Sequence, residues 1–181
     1  MKNRFVLLVI IILILPTIAW AKHSNIAIID IDKAINESMV YISLQSTLEK
    51  QNLKYQQELK GYETKIMALD KEIGQNSNKL SQEQLKKLKT ELSQSEIEAQ
   101  KVIHEHRISL DNAFSKAMEK IKISLFDIIS NIAKEQNIQL VLPKSQTLYN
   151  TNSIDITNQV LQALNNKLKT VDVRFKELKN D

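Results

Sequence analysis

The apolar positions of this 181-residue chain change their period four times, and each change marks an element. Phe5 to Leu15 is an unbroken apolar run. Lys2 and Arg4 precede it, and Pro16 and then Ala19-Trp20-Ala21 follow. A charged start, a short apolar stretch and an A-x-A end are the parts of a secretory signal peptide, with cleavage expected between Ala21 and Lys22. Phe5 to Ala21 also sits at the lower edge of a membrane-spanning length, so an uncleaved anchor is the alternative. Next, Asn25 to Ile31 reads NIAIIDI, a β-branched run that predicts a buried strand carrying Ile26, Ile28 and Ile31. Asp32 follows as the expected cap of a helix starting at Lys33.

From there the helical period takes over. Leu44, Leu48, Tyr55, Leu59, Tyr62, Ile66, Leu69 and Ile73 recur mostly at steps of three and four. Gln51 fills one position of this seam, and the step from Tyr55 to Leu59 adds a local stutter. The pattern stops at Gly74 and resumes after Ser81, a predicted N-cap with Gln84 three residues on, as in a capping box. Leu85, Leu88 and Leu92 restart it. Ala99, Ile103, Leu110, Phe114, Ala117, Ile121, Leu125, Ile128 and Ile132 carry it to about Lys134. At 1.5 Å per residue the first leg spans about 45 Å and the return leg about 80 Å, so the return leg must lie beside something more than the first. Between them stands GQNSN, Gly74 to Asn78. Glycine accepts positive φ, and Asn and Ser bond their own backbone in tight reversals. The segment therefore predicts the tip of a helical hairpin.

After the hairpin the period returns to that of a strand at Ile138 to Leu142, ended by Pro143, with Thr147 to Asn150 a weaker strand candidate. Asp155 then caps an amphipathic helix with Ile156, Val160, Leu161, Leu164 and Leu168 on one side. The tail, VDVRFKELKND, is open between more helix, a strand and frayed chain. The expected fold is mainly α with a small β body (α+β). Residues 22–43 and 135–181 form the body with its C-terminal helix, and 44–134 form a long antiparallel coiled-coil arm with its tip at 74–80. About three short strands leave edges exposed, and such a sheet is marginal alone, so other copies of the chain are expected to complete it. Ile26, Ile28, Ile31, Leu140, Leu142 and Tyr149 are the residues expected in that shared body.

Composition agrees with the long-helix reading. The chain has two glycines, two prolines and 5% aromatic residues against 25% charged. It has no cysteine, so neither a lipobox lipid nor a disulfide can form. Without Lys2 and Arg4, 23 basic residues face 21 acidic ones, too even a balance to argue nucleic-acid binding.

Candidate chemistry is sparse. His104 and His106 are two apart, about 200° around a helix, and cannot chelate one ion locally. Asp30 and Asp32 share a strand face, and paired carboxylates can serve acid–base chemistry, but Asp32 reads better as a cap and no histidine, nucleophile or glycine loop accompanies the pair. Asn36-Glu37-Ser38 is a formal glycosylation sequon. No P-loop, GxSxG or zinc spacing occurs. No enzyme, cofactor or metal is expected.

The order of parts resembles the Skp/OmpH family of periplasmic chaperones. The resemblance is carried by the N-terminal signal, IAIIDIDKAINES at Ile26 to Ser38, the charged hairpin, and IQLVLPKSQTLYNTNSIDITNQVL at Ile138 to Leu161. It implies a homotrimer whose chains share a small β-barrel, with three hairpins around a cavity that holds unfolded outer-membrane proteins without ATP. In one respect the chain departs from the family. Well-known members are strongly basic, whereas Gln45 to Leu110 has 11 basic and 10 acidic residues, which leaves membrane or lipopolysaccharide contact open. Tyr41, Tyr55, Tyr62, Met67 and Phe114 are candidate client contacts, with packing inside the arm the competing role for Tyr55 and Tyr62. Gly61 is a candidate hinge or a plain surface glycine. The alternative function is a structural spacer or adaptor in an envelope assembly, which would need an anchor at the tip, and GQNSN has none.

Overall fold

The computed structural model describes residues 25–176, so the expected signal peptide and its Ala21–Lys22 junction lie outside the described residues. The elements in order are β1 (Ile26–Ile29), α1 (Ile31–Asn36), α2 (Met39–Asn76), α3 (Gln82–Glu135), β2 (Leu140–Pro143), two 3-10 turns (Lys144–Gln146 and Asn152–Ile154) and α4 (Thr157–Lys167). This is the expected mainly helical architecture, a long hairpin inserted between two strands.

The first strand ends earlier than its β-branched run. Asp30, not Asp32, is the N-cap, and its carboxylate accepts the Lys33 N–H at 2.9 Å. Ile31 and Asp32 are therefore helical, and Asp30 and Asp32 share no strand face. A carboxylate at the cap satisfies an orphan amide, and a second one in the first turn meets the positive end of the helix dipole. A second cap follows at once. Ser38 is fully buried, accepts the Tyr41 N–H and donates to the Ile35 carbonyl at 2.6 Å. It separates α1 from α2, where the sequence pattern predicts one continuous helix.

The hairpin tip also differs in detail. α2 continues through Gly74, Gln75 and Asn76, and neither glycine has positive φ. The reversal falls on 77–80, where the Asn76 carbonyl accepts N–H groups from Lys79 at 2.8 Å and Leu80 at 3.0 Å. Gly74 supplies no special backbone conformation there. Ser81 does start α3 with the expected capping box, reciprocal with Gln84. At its far end α3 closes in a Schellman motif. Asn137 adopts φ 56°, and the Ile138 N–H returns to the Ala133 carbonyl at 2.8 Å.

β1 and β2 are parallel, with Ile26 opposite Leu140 and Ile29 opposite Pro143, so the whole arm is their crossover connection. On the other side of β1, the Ile156 N–H reaches the Ile28 carbonyl at 3.0 Å, and the Asp30 N–H reaches Thr157 Oγ1 at 2.9 Å. β1 is thus the middle line of the body. Thr147 to Asn150 is not a strand. The chain leaves β2 through the 3-10 turn, and Leu148 and Tyr149 stand exposed.

The core lies where α3 runs past the start of α2. Ala27, Ile29, Ala34, Val40, Leu44, Ala117, Ile121, Leu125, Val160 and Leu164 close it, each 2% exposed or less. That is the extra partner the longer return leg requires. The described tail, 169–176, adopts no helix or strand and turns back along the arm, with Val171 and Val173 against the core.

Candidate functional site

The arm's seam follows the sequence pattern on the first leg. Leu44, Tyr55 and Leu69 are buried, and Leu48, Gln51, Leu59, Tyr62, Ile66 and Ile73 are half-buried. The return leg is different. Its buried positions are small or polar in the middle, at Ser95, His106, Ser109, Ala113 and Ala117, and aliphatic at the base, at Ile121, Leu125, Ile128 and Ile132. Ile103 and Phe114, expected on the seam, turn partly outward, Ile103 being 51% and Phe114 38% exposed. Periodicity alone could not separate them, since an apolar residue beside a seam made of alanine and serine gives the same helical spacing.

The consequence is a helix pair that carries much of its apolar bulk outside. Ile42, Leu53 and Met67 on α2, and Ile97, Ile108, Ile123 and Phe126 on α3, are exposed. Phe114, Met118, Ile123 and Phe126 line a shallow groove on α3 together with the stems of Glu119 and Lys122. Isolated apolar residues on a surface are ordinary, but a series spread along both legs is a surface suited to weak contacts with other chains. The sequence carries this signal in Ile97, Ile108, Ile123 and Phe126, which fall off the seam spacing.

Of the candidate contacts, Met67 and Phe114 are on the surface, while Tyr41 and Tyr62 are half-buried. Tyr55 is 6% exposed and belongs to the seam. Its ring stacks on His106 with centroids 3.7 Å apart, and its hydroxyl bonds Ser109 Oγ at 3.2 Å. His106 is 4% exposed, and its Nε2 lies 3.2 Å from Glu58 Oε2. That contact has ion-pair range but not the angle of a hydrogen bond, so neither ring nitrogen is well satisfied. His104 is exposed, and no group of three His, Asp or Glu residues gathers for a metal among the described residues. Gly61 sits on the open face of α2, where an added Cβ would meet nothing within 4 Å.

In the body, Ile28 is buried within the chain, and Ile31 lies in α1 rather than on a strand. Ile26 and Leu140, directly paired, are 41% and 48% exposed, and Tyr149 is 85% exposed. Leu142 is half-buried. The body is pinned by Asp155. Its carboxylate accepts Lys144 Nζ and the Thr157 N–H, both at 2.9 Å, and the Thr157 hydroxyl. Burial alone would raise this carboxyl. The hydrogen bonds from Thr157 and Lys144 outweigh it and hold the pKa down, from 3.8 to about 2. The same bond to Asp155 raises the Lys144 ammonium. No helix among the described residues is long and apolar enough to cross a membrane.

Known proteins share this arrangement. A crystal structure from Caulobacter crescentus CB15, described as an OmpH-like outer membrane chaperone, superposes with a TM-score of 0.79 at 18% identity, covering 87% of this chain and 93% of that one. An uncharacterized protein of Aquifex aeolicus (strain VF5) is 29% identical over 148 residues, covering 77% of this chain and 85% of the relative. The family of outer membrane proteins described as OmpH-like matches residues 25–164, from β1 through the arm and β2 into α4. With that match spanning well over half its length, the chain belongs to the OmpH-like family.

Proposed function

We propose that this protein is an ATP-independent holdase of the periplasm, exported by a cleaved signal peptide, which keeps unfolded outer-membrane proteins from aggregating before insertion. The observation that carries this reading is the series of exposed apolar residues along α3. Small residues fill much of its seam, while Ile97, Ile103, Ile108, Ile123 and Phe126 face outward along its length. A holdase acts by binding the unfolded state and lowering its free concentration, and it needs many weak contacts rather than one tight pocket. Several arms around one client turn such contacts into a lasting hold through effective concentration.

The open strand edge supports a homotrimer with a shared β body. A two-stranded sheet with exposed Ile26 and Leu140 at one end, followed by a loop with exposed Tyr149, is a poor structure alone and a natural junction between copies. The spacer reading is disfavoured by the tip. Residues 77–80 present no large exposed anchor, and the outward apolar residues lie along the legs instead.

The test is a refolding assay with the chain from Lys22 onward and a urea-unfolded outer-membrane β-barrel. Suppressed aggregation at about one trimer per client is expected, with a trimer mass in the same sample. Unchanged aggregation at excess protein would sink the reading.

A further inference from the structure

The described tail is an irregular segment whose burial alternates with a period of two from Val171 to Lys176. Val171, Val173 and Phe175 are half-buried, whereas Asp172, Arg174 and Lys176 are exposed. It is anchored at both ends. Lys167 Nζ lies 3.4 Å from Asp127 Oδ2, and the Lys176 N–H donates to Ser109 Oγ at 2.9 Å. From Asp127 back to Ser109 is 18 helical residues, about 27 Å. From Lys167 to Lys176 is nine residues, about 30 Å when extended. After a bend at Lys169 the tail therefore passes up the arm, antiparallel to α3, and ends where Ser109 also meets Tyr55 of the other leg.

Its attachment is light. No backbone–backbone hydrogen bond joins residues 169–176 to other described residues, and Ser109 is the one latch on its main chain. Side chains of Val171 and Val173 against the core supply the rest. The family match ends at residue 164, inside α4, and the segment follows it.

We propose that the tail is a displaceable strap: it covers a track on the arm that accepts extended chain with alternating apolar residues, and client segments compete with it for that track. A strand of a transmembrane barrel, while still unfolded, carries the same alternation. The client's chemistry is thus written in the tail itself, Val-x-Val-x-Phe with charged residues between. This rests on the holdase reading. An intramolecular competitor lowers apparent client affinity by the fraction of time the track is free. The strap thereby biases the arm toward long or multiply attached clients, which can replace every contact it loses.

Three measurements decide it. First, Val171→Ser/Val173→Ser/Phe175→Ser is made in the chain from Lys22 onward, with helix content checked by circular dichroism. A labelled KTVDVRFK peptide should bind this variant at least about fivefold tighter than the native protein. It should also bind tighter than a peptide of the same composition with its apolar residues grouped. Equal affinity for the two proteins, or for the two peptides, overturns the strap.

Second, Arg174→Cys, at a side chain 89% exposed in a cysteine-free chain, carries a dye in an otherwise native tail. Excess KTVDVRFK should raise the dye's mobility, and an unchanged signal also overturns the strap even if the triple variant misfolds. Third, the triple variant should suppress aggregation of the unfolded barrel at lower concentration than the native protein. Equal suppression overturns competition with clients and leaves the holdase reading standing. No suppression by either protein removes the holdase reading and, with it, the client's part in the proposal, while the peptide arms still decide the track.

Discussion

The base of the arm and its distal half use the same two helices and are held in different ways. At the base, Val40, Leu44, Ala117, Ile121 and Leu125 are 1% exposed or less, because α1, α4 and β1 close over the sides the helices do not cover themselves. Beyond Tyr55 the helices have only each other. Leu69 and Ser95 are buried there, while Leu59, Tyr62, Ile66, Ile73, Leu85, Leu88 and Leu92 stay half-buried. A two-helix seam shields each residue from one direction, so the same leucine removes less area from water than it does in the base. Stability is concentrated where the chain returns to the body, and the distal arm sits at the low end of the range of opening free energies. With that gradient, yielding at the far end of the arm does not loosen the body.

The largest effect should come from deleting bulk at the base. Ile121→Ala or Leu125→Ala is expected to cost about 3 kcal/mol in urea unfolding, and Ile66→Ala about 1 kcal/mol. Equal costs would erase the contrast between the two regions. Next is Asp155, which joins the loop after β2 to the start of α4. Its carboxyl is held below the ordinary value, so it contributes stability above about pH 4 and loses it as pH falls through about 2. Asp155→Asn is expected to cost about 2 kcal/mol at neutral pH and to flatten the acid limb of the stability profile. An unchanged acid limb would show that the carboxylate is not the pin.

Smaller still is Tyr55→Phe, at the boundary between the two regions. It keeps the stack on His106 and removes the bond to Ser109, so a loss of about 1 kcal/mol is expected. Denaturant midpoints for the two proteins check it. The smallest effect has the opposite sign. Gly61→Ala adds a Cβ that meets nothing, and a gain of up to about 1 kcal/mol is expected from helix propensity alone. Hydrogen exchange around residue 61 and client capacity together separate the two roles proposed for this glycine. If exchange slows and capacity for large clients falls, Gly61 is a hinge, and if capacity holds, it is a tolerated surface glycine.

Much of the fold was readable because its long elements repeat a signal many times. The first-leg seam from Leu44 to Ile73, the box at Ser81 and Gln84, and the strand ending in Pro143 are each where the pattern puts them. Misreadings came where two local solutions competed. Asp30 and Asp32 are both good caps, and only the Asp30 position lets its own N–H reach Thr157 Oγ1 from the opposite side of β1. The pattern puts the reversal at GQNSN, yet helix continues through Gly74 because the seam still has Ile73 and Asn76 to cover. The candidate surface was less legible than the fold. Phe114 and Ile103 have seam spacing, but the alanines and serines beside them lie closer to α2.

By itself, then, the order of periods along the chain determined a hairpin inserted between two strands, its approximate length, and the absence of any glycine loop or cysteine chemistry. Those properties are local: they depend on spacing within one element and on residue types that no neighbour can change. Only the tertiary structure decided which apolar residues are buried, that His106 packs on Tyr55, and that the tail returns to Ser109 of α3. Burial belongs to pairs of elements, and the side of a helix that faces a partner is set by how closely the partner can approach. The tail makes the point most plainly. VDVRF has a strand's alternation but pairs with no strand among the described residues, and it packs against the arm beneath it.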